Sequence, residues 1–590
     1  MTSRDVPRAF GKRFHQWLRG KPGGLVALSL AVGIGAGLGA IGFRYLITWF
    51  TLLFTGHADY AAADHQINPW LPQLGIWFVA LAPVVGGAIY GPIVAWLAPE
   101  ARGHGVPEVM FAVAEGGGRI RPRVAIVKAL ASALCIGSGG SVGREGPIVQ
   151  IGSALGSALG QVVRVPELRL RLLVACGAAG GISATFNAPI AGVMFALELI
   201  LRDLEAESLG MVVLASVAAN VVGQAAFGSQ AFLALPPFDQ VPPITYGLYA
   251  GLGVLAAVVG VAFIRVLYAT EDWADRVWKG PAWLRPAAGG VLVGLVLLVL
   301  PQLYGVGYPA VETSIRGGFS VSLLMILVVG KIVATSLTIA IGGSGGVFAP
   351  SMFMGAMLGS AFGALTHRWF PGIAGAPGAY GVVAMGAVFA AAGRAPITSA
   401  VVIYELTGES KIILPLLFAV AVSTAVASIL SRDTIYTVKL RRRGVELLGA
   451  RAPNPMAFTT VEDAMQPMPT PLRSGEPMKV AVQRLNDEGR DALPIVDADG
   501  HYQGTLTARA IEEAMRENDV DVDVERLGDV RRTVGAGDTL EQALGALVQP
   551  DNVGVAVVGR DKRSVVGWLT RADVLRAYQE RTKDGSNTHR

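Results

Sequence analysis

One carboxylate stands where chemistry is expected. Glu145 lies in Gly143-Arg144-Glu145-Gly146-Pro147, within an otherwise apolar, glycine-rich stretch. An ionisable side chain in such a setting is a functional candidate by default. The motif also looks like a helix start, because a glycine-rich turn precedes a proline near the first helical position, where its missing N–H and fixed φ are well tolerated. Helix starts expose free backbone N–H groups and the positive end of the dipole, roughly half an elementary charge. Two of them converging would hold an anion without a full cation, and a hold of that weakness permits release. Close helix crossing alone would also use glycines, but it would not require a proline at the same place twice.

The same start does occur twice. Residues 140–160, GSVGREGPIVQIGSALGSALG, align without a gap on residues 343–363, GSGGVFAPSMFMGAMLGSAFG. A second block keeps nearly the same offset: Ala188-Pro189-Ile190 through Glu198-Leu199 match Ala395-Pro396-Ile397 through Glu405-Leu406. The chain therefore contains two homologous halves. Broken helices at corresponding positions of paired halves point to a transport site at their interface. The repeat by itself does not say whether one half is inverted.

The elements that must position these residues are membrane helices. Of the 590 residues 52% are hydrophobic and only 16% are charged, against roughly 25% charged in a soluble domain. Apolar segments between residues 25 and 430 read as helical, and several are shorter than the about 20 residues needed to cross a bilayer. Arg4, Arg8, Lys12, Arg13, Arg19 and Lys21 precede the first segment, and Lys439, Arg441, Arg442 and Arg443 follow the last. By the positive-inside rule both termini are expected in the cytoplasm, with the chain in the plasma membrane. The first apolar run is longer than the core of a signal peptide and is expected to remain as a membrane helix.

Composition also excludes classes. The net charge of +5 is accounted for by the flanks, and no basic patch interleaved with aromatics suggests nucleic acid. Cys135 and Cys176 sit in apolar runs and read as inert thiols, so neither a disulfide framework nor a metal site is expected.

Three separated motifs, Gly103-His104-Gly105-Val106-Pro107, Gly143-Arg144-Glu145-Gly146-Pro147 and Gly346-Val347-Phe348-Ala349-Pro350, are followed by Tyr436 after the last membrane helix. In order and spacing they resemble the CLC family of chloride channels and proton-coupled chloride antiporters, over roughly residues 25–440. The resemblance implies an α-helical membrane domain of two inverted halves with many tilted and broken helices. It also implies a homodimer in which each subunit has its own pathway. Glu145 becomes the gate, competing with the anion for its site when ionised and vacating that site when protonated. His104, Gly105, Val106, Gly146, Val347, Phe348 and Tyr436 become the anion-binding set.

Two positions depart from the family pattern. His104 replaces the usual serine; its imidazole can donate in either protonation state, or it can point away and leave the anion to the backbone. Leu199 stands where proton-coupled members carry an internal glutamate. Neighbouring Glu198 recurs as Glu405, which favours a helix-end role, with a proton relay at Glu198 as the alternative. A passive channel and an exchanger with a water-based proton route both remain open. Lys128 matches a basic position of the family and either raises the anion potential of the pathway or snorkels to the interface. Arg144 is expected to act electrostatically at the outer mouth.

After a linker at 441–458, the tail alternates strands and helices twice, at 459–517 and 524–580, and ends in a polar segment at 581–590. Both copies resemble cystathionine-β-synthase-type (CBS) modules, giving an α/β tandem unit. Such modules offer Thr and Asp to a nucleotide ribose; Thr570 and Asp573 fill that pattern, whereas Ala510 replaces the aspartate of the first copy. The tail is expected either to bind adenine nucleotide or to be purely structural. No catalytic constellation appears in it, and neither enzymatic activity nor a required cofactor is expected. The competing class is a divalent-cation (magnesium) transporter regulated by the same modules, which would need pathway carboxylates that this membrane region lacks.

Overall fold

The computed structural model describes residues 17–18, 21–62, 66–203, 206–233, 235, 238, 242–445, 456, 459–517, 522–530, 532–548, 553–559, 561 and 563–587. Arg4, Arg8, Lys12, Arg13 and Arg19 lie outside them, as do the linker after residue 445 apart from Met456 and the side chains of the 581–590 tail. The chain divides into two units, Met1–Leu447 and Leu448–Arg590.

Among the described residues, eight helices of the first unit are long and apolar enough to cross a membrane, from Pro22–Thr55 to Ser410–Leu430. The chain is a multi-pass integral membrane protein. Other apolar helices, Pro189–Leu201, Arg285–Val299, Pro377–Gly393 and Pro396–Thr407, are too short to span, and such ends are tolerated at membrane depth only when protein covers them. The repeat is visible element by element. Arg123–Gly137, Glu145–Val163, Glu167–Phe186 and Pro189–Leu201 in one half answer to Val321–Ala340, Phe348–Trp369, Pro377–Gly393 and Pro396–Thr407 in the other.

The glycines of the repeat let backbones touch. A Cβ on Gly152 would lie 2.0 Å from the Gly177 carbonyl oxygen, and one on Gly359 would lie 2.1 Å from that of Tyr380. Each half therefore packs its gate-side helix against the next helix by the same close approach.

The structure adds elements that apolar runs do not reveal. Short helices Val106–Ala114 and Tyr308–Ile315 each begin after a glycine with positive φ, Gly105 (80°) and Gly307 (88°), with proline at the start. Helix Tyr246–Val277 runs on past its apolar part into a charged end. Its polar end is held where Asp272 accepts both guanidinium bonds of Arg442, at 2.8 and 2.9 Å.

The second unit contains two small sheets. Leu472–Arg473, Ala492–Val496 and Tyr502–Thr507 form one. Gln466–Pro467, Val565–Thr570, Gly554–Val558 and Val534–Gly535 form the other, in that order. The first strand of the unit thus pairs, antiparallel, with a strand of the second copy, Gln466 opposite Trp568. The copies interlock rather than follow one another.

Candidate functional site

The three motifs converge through backbone bonds between glycines. Gly103 and Gly345 exchange contacts across Gly343 (Gly103 N to Gly343 O, 3.0 Å; Gly345 N to Gly103 O, 3.3 Å). Gly143 and Gly346 bond each other in both directions, at 2.8 and 2.6 Å. A Cβ on Gly146 would lie 2.0 Å from the His104 carbonyl oxygen and 3.0 Å from the Gly346 Cα. Only backbones without side chains can meet this closely. The starts of helices Glu145–Val163, Phe348–Trp369 and Val106–Ala114 are thereby drawn to one place, with Gly105, Val106, Gly146, Val347 and Phe348 around it.

Glu145 sits in that place. It is 1% exposed; its Oε2 accepts the Ala349 N–H at 3.3 Å and its Oε1 accepts the Tyr308 hydroxyl at 2.9 Å. Ala349 is in the first turn of helix Phe348–Trp369, so the carboxylate lies at a positive helix pole as an anion would. Gly143 makes room for it, since a Cβ there would fall 2.0 Å from Oε2.

His104 and Tyr436 approach the same centre from other elements. His104 is fully buried, its ring is 6.3 Å from the Tyr268 ring and perpendicular to it, and neither ring nitrogen has a hydrogen-bond partner among the described residues. The Tyr436 hydroxyl is likewise buried and has no partner among the described residues. Orphaned donors in a protein interior are costly unless something binds them. Tyr436 precedes helix Thr437–Arg442, which is docked on the His104 side of the site: Glu108, two residues into helix Val106–Ala114, accepts both guanidinium bonds of Arg443 at 2.7 Å and pairs with Lys439 at 3.2 Å. Nothing in the local sequence singled out Glu108, Lys331 or Tyr308.

Lys128 does not snorkel to the interface. It is fully buried, and its Nζ donates to the carbonyls of Ala101 (2.9 Å) and Gly103 (2.8 Å), fixing the turn that carries His104. Arg144 is 8% exposed, with its guanidinium 4.9–5.3 Å from the centroids of the Phe186, Phe232 and Tyr308 rings. It is held beside Glu145 by cation–π contact with those rings.

Glu198 and Glu405 serve as helix caps in exchange. Glu198 accepts from Ile397 N (3.3 Å), Thr398 N (2.8 Å) and Thr398 Oγ1 (2.6 Å) at the start of helix Pro396–Thr407. Glu405 accepts from Ile190 N (3.0 Å) and Ala191 N (2.6 Å) at the start of the Pro189 helix. Both oxygens of Glu198 therefore accept hydrogen bonds at the start of the facing helix. Leu199 is buried in the π-helical turn Ala196–Leu201.

In the tail, Asp573 is 2% exposed and its Oδ2 accepts from Thr570 N (3.0 Å) and Thr570 Oγ1 (2.5 Å), while Gln466 Nε2 reaches Oδ1 at 2.7 Å. The pair that a ribose would use is closed on itself as a helix cap.

The membrane unit is thus a two-fold repeated transporter scaffold whose helix starts meet around a centre suited to an anion and closed by a carboxylate. The chain belongs to the voltage-gated chloride channel family, which matches residues 86–428. The CBS domain family matches residues 461–517 and 527–580. The H(+)/Cl(-) exchange transporter ClcA of Vibrio cholerae is 35% identical over 429 residues, covering 71% of this chain and 90% of that protein. Among solved structures, a slow cyanobacterial Cl-/H+ antiporter is 27% identical with a TM-score of 0.65, over 71% of this chain and 97% of its own. A eukaryotic CLC transporter, 22% identical, shares the fold with a TM-score of 0.59 over 93% of this chain and 97% of its own. The divalent-cation alternative is not supported by this membership.

Proposed function

We propose that this protein exchanges chloride, or a similar small anion, for protons across the plasma membrane, with Glu145 as the gate. The observation that carries the reading is the Glu145 carboxylate on the Ala349 N–H. An ionised gate lies where the cargo would lie, so it blocks. Protonation removes the charge that holds it at the helix pole, and the carboxyl gives way to an anion held by helix starts, the His104 ring and the Tyr436 hydroxyl. Each proton taken up thus admits an anion. Leu199 carries no proton and Glu198 is held as a cap, so protons reach Glu145 from the inner side along water. The exchange mode is favoured over a passive channel by the relatives whose names state it. The termini face the cytoplasm and two chains form the working dimer, each with its own pathway. The tail is a structural module; adenine nucleotide at Thr570 and Asp573 would first have to open their cap.

Vesicles loaded with chloride and containing the purified protein test this. Chloride efflux accompanied by stoichiometric proton uptake is expected. Glu145→Gln is expected to conduct chloride at a rate independent of pH and to move no protons. Folded protein that passes no chloride would overturn the reading, and chloride flux without protons in the unmodified protein would make it a channel.

A further inference from the structure

The turn that presents His104 has a twin. Gly305-Val306-Gly307-Tyr308-Pro309 repeats the glycines and proline of Gly103-His104-Gly105-Val106-Pro107 at an offset of 202 residues, and all four glycines have positive φ, 58–88°. The supports repeat as well. Lys331, fully buried like Lys128, donates to the carbonyls of Gly305 (3.1 Å) and Val306 (3.2 Å). Ser344 Oγ donates to the Ala101 carbonyl at 2.7 Å, and Ser141 Oγ donates to the Leu303 carbonyl at the same distance. Each serine comes from the half opposite to the turn it holds. Both turns are therefore built by the same device, a buried lysine and a serine fastened to backbone carbonyls.

The twins deliver different things. Where the first turn continues with Val106, the second continues with Tyr308, whose hydroxyl donates to Glu145 Oε1 at 2.9 Å. The Tyr308 ring cannot swing freely. It is packed edge-on against Phe232, with centroids 4.8 Å apart, and lies under the Arg144 guanidinium at 5.2 Å. The other titratable or charged groups whose fields reach Glu145 are Arg144 beside it, Lys331 on helix Val321–Ala340, and Tyr436. The Arg144 guanidinium lies against aromatic faces and Lys331 is turned to carbonyls and Ser141. The Tyr436 hydroxyl has no partner among the described residues. Among the described residues, Tyr308 is the side chain that donates to the Glu145 carboxylate.

We propose that Tyr308 is a latch: a positioning residue, carried on the duplicated turn, that holds the ionised Glu145 carboxylate in the pathway and so sets the pH at which the anion route opens. A donor aimed at a carboxylate favours its charged form. Without the phenol hydroxyl the charged, blocking form is less stable and the gate leaves at lower proton concentration. This inference rests on Glu145 acting as the gate.

The test is the pH profile of chloride efflux from vesicles for Tyr308→Phe, which removes one oxygen and keeps the ring. Half-maximal flux is expected to move to higher pH by on the order of one unit, tenfold in proton concentration, with the acid plateau preserved. Replacing Tyr308 by monofluorotyrosine, a stronger donor of nearly the same size, is expected to move it the other way and tests the latch even if the phenylalanine variant misfolds. In a Glu145→Gln background neither change should alter the profile. A profile unmoved by either substitution, or moved equally without Glu145, overturns the latch. If the unmodified protein shows no Glu145-dependent pH profile at all, it is the gate reading that fails.

Discussion

Replacing Glu198 by alanine removes three hydrogen bonds at once, from Ile397 N, Thr398 N and Thr398 Oγ1, and leaves the start of helix Pro396–Thr407 without its cap. Loss of a capping side chain costs about 0.5–2 kcal/mol, and a negative charge at a helix start adds about 0.3–1 kcal/mol. Glu198 is half-buried and serves two backbone donors as well as a hydroxyl, so the upper part of the range applies, about 2–3 kcal/mol. Glu198→Gln retains an acceptor oxygen and loses the charge, which corresponds to about 1 kcal/mol. Thermal denaturation in detergent should therefore rank the variants unmodified, Gln, Ala in falling stability. Glu405→Ala should repeat the effect from the other half, and the double variant should depart from additivity because the two caps join the same pair of short helices. Proton-to-chloride ratios measured in vesicles supply the second readout. Glu198→Gln is expected to leave the ratio unchanged. A glutamine variant with full stability that moves chloride but no protons would refute the capping argument and restore Glu198 as a relay.

Gly146→Ala is expected to abolish anion flux, because its Cβ would fall 2.0 Å from the His104 carbonyl oxygen and the atom it meets is backbone; efflux at acid pH, where the proposed gate is open, reads this directly. In the tail, burial works against the charge on Glu476, but bonds from the Arg484 guanidinium at 2.9 and 3.2 Å hold its carboxyl below the usual range. A depressed carboxylate stabilises the fold above its unfolded value, about 4.3, and that contribution is lost as pH falls through the folded value. Limited proteolysis of the tail in the full chain should accelerate on acidification through this window, and less so in Arg484→Ala, which is already weakened at neutral pH.

Much of the site was legible because close backbone approach needs glycine, and glycine leaves its mark in the sequence. Gly143, Gly146 and Gly346 announced where helix starts meet, and the repeat announced that there were two of them. Glu198 and Glu405 were visible as a duplicated pair, but not as partners of each other's helices, because sequence offset says nothing about which half a side chain reaches. For Lys128 the sequence leaves two readings, a snorkelling side chain and a charge acting on the pathway, and its burial on backbone carbonyls removes the first. A lysine in an apolar run suggests a charge facing water or a pathway, whereas an ammonium can equally be satisfied by the carbonyls of a buried turn, here those of Ala101 and Gly103. Tyr308 was missed although its turn repeats that of His104 at nearly the offset of the other repeats. Matching Lys331 to Lys128 would have exposed it.

The strand exchange in the tail bears on how this protein can be cut. Because Gln466–Pro467 completes the sheet of the second copy, a truncation between the copies would not yield one intact module and one missing module. It would strip a neighbour from the Gln466 strand and release the Asp573 hold on Gln466, so shortened versions lacking the last copy should be judged as damaged proteins rather than as simpler ones.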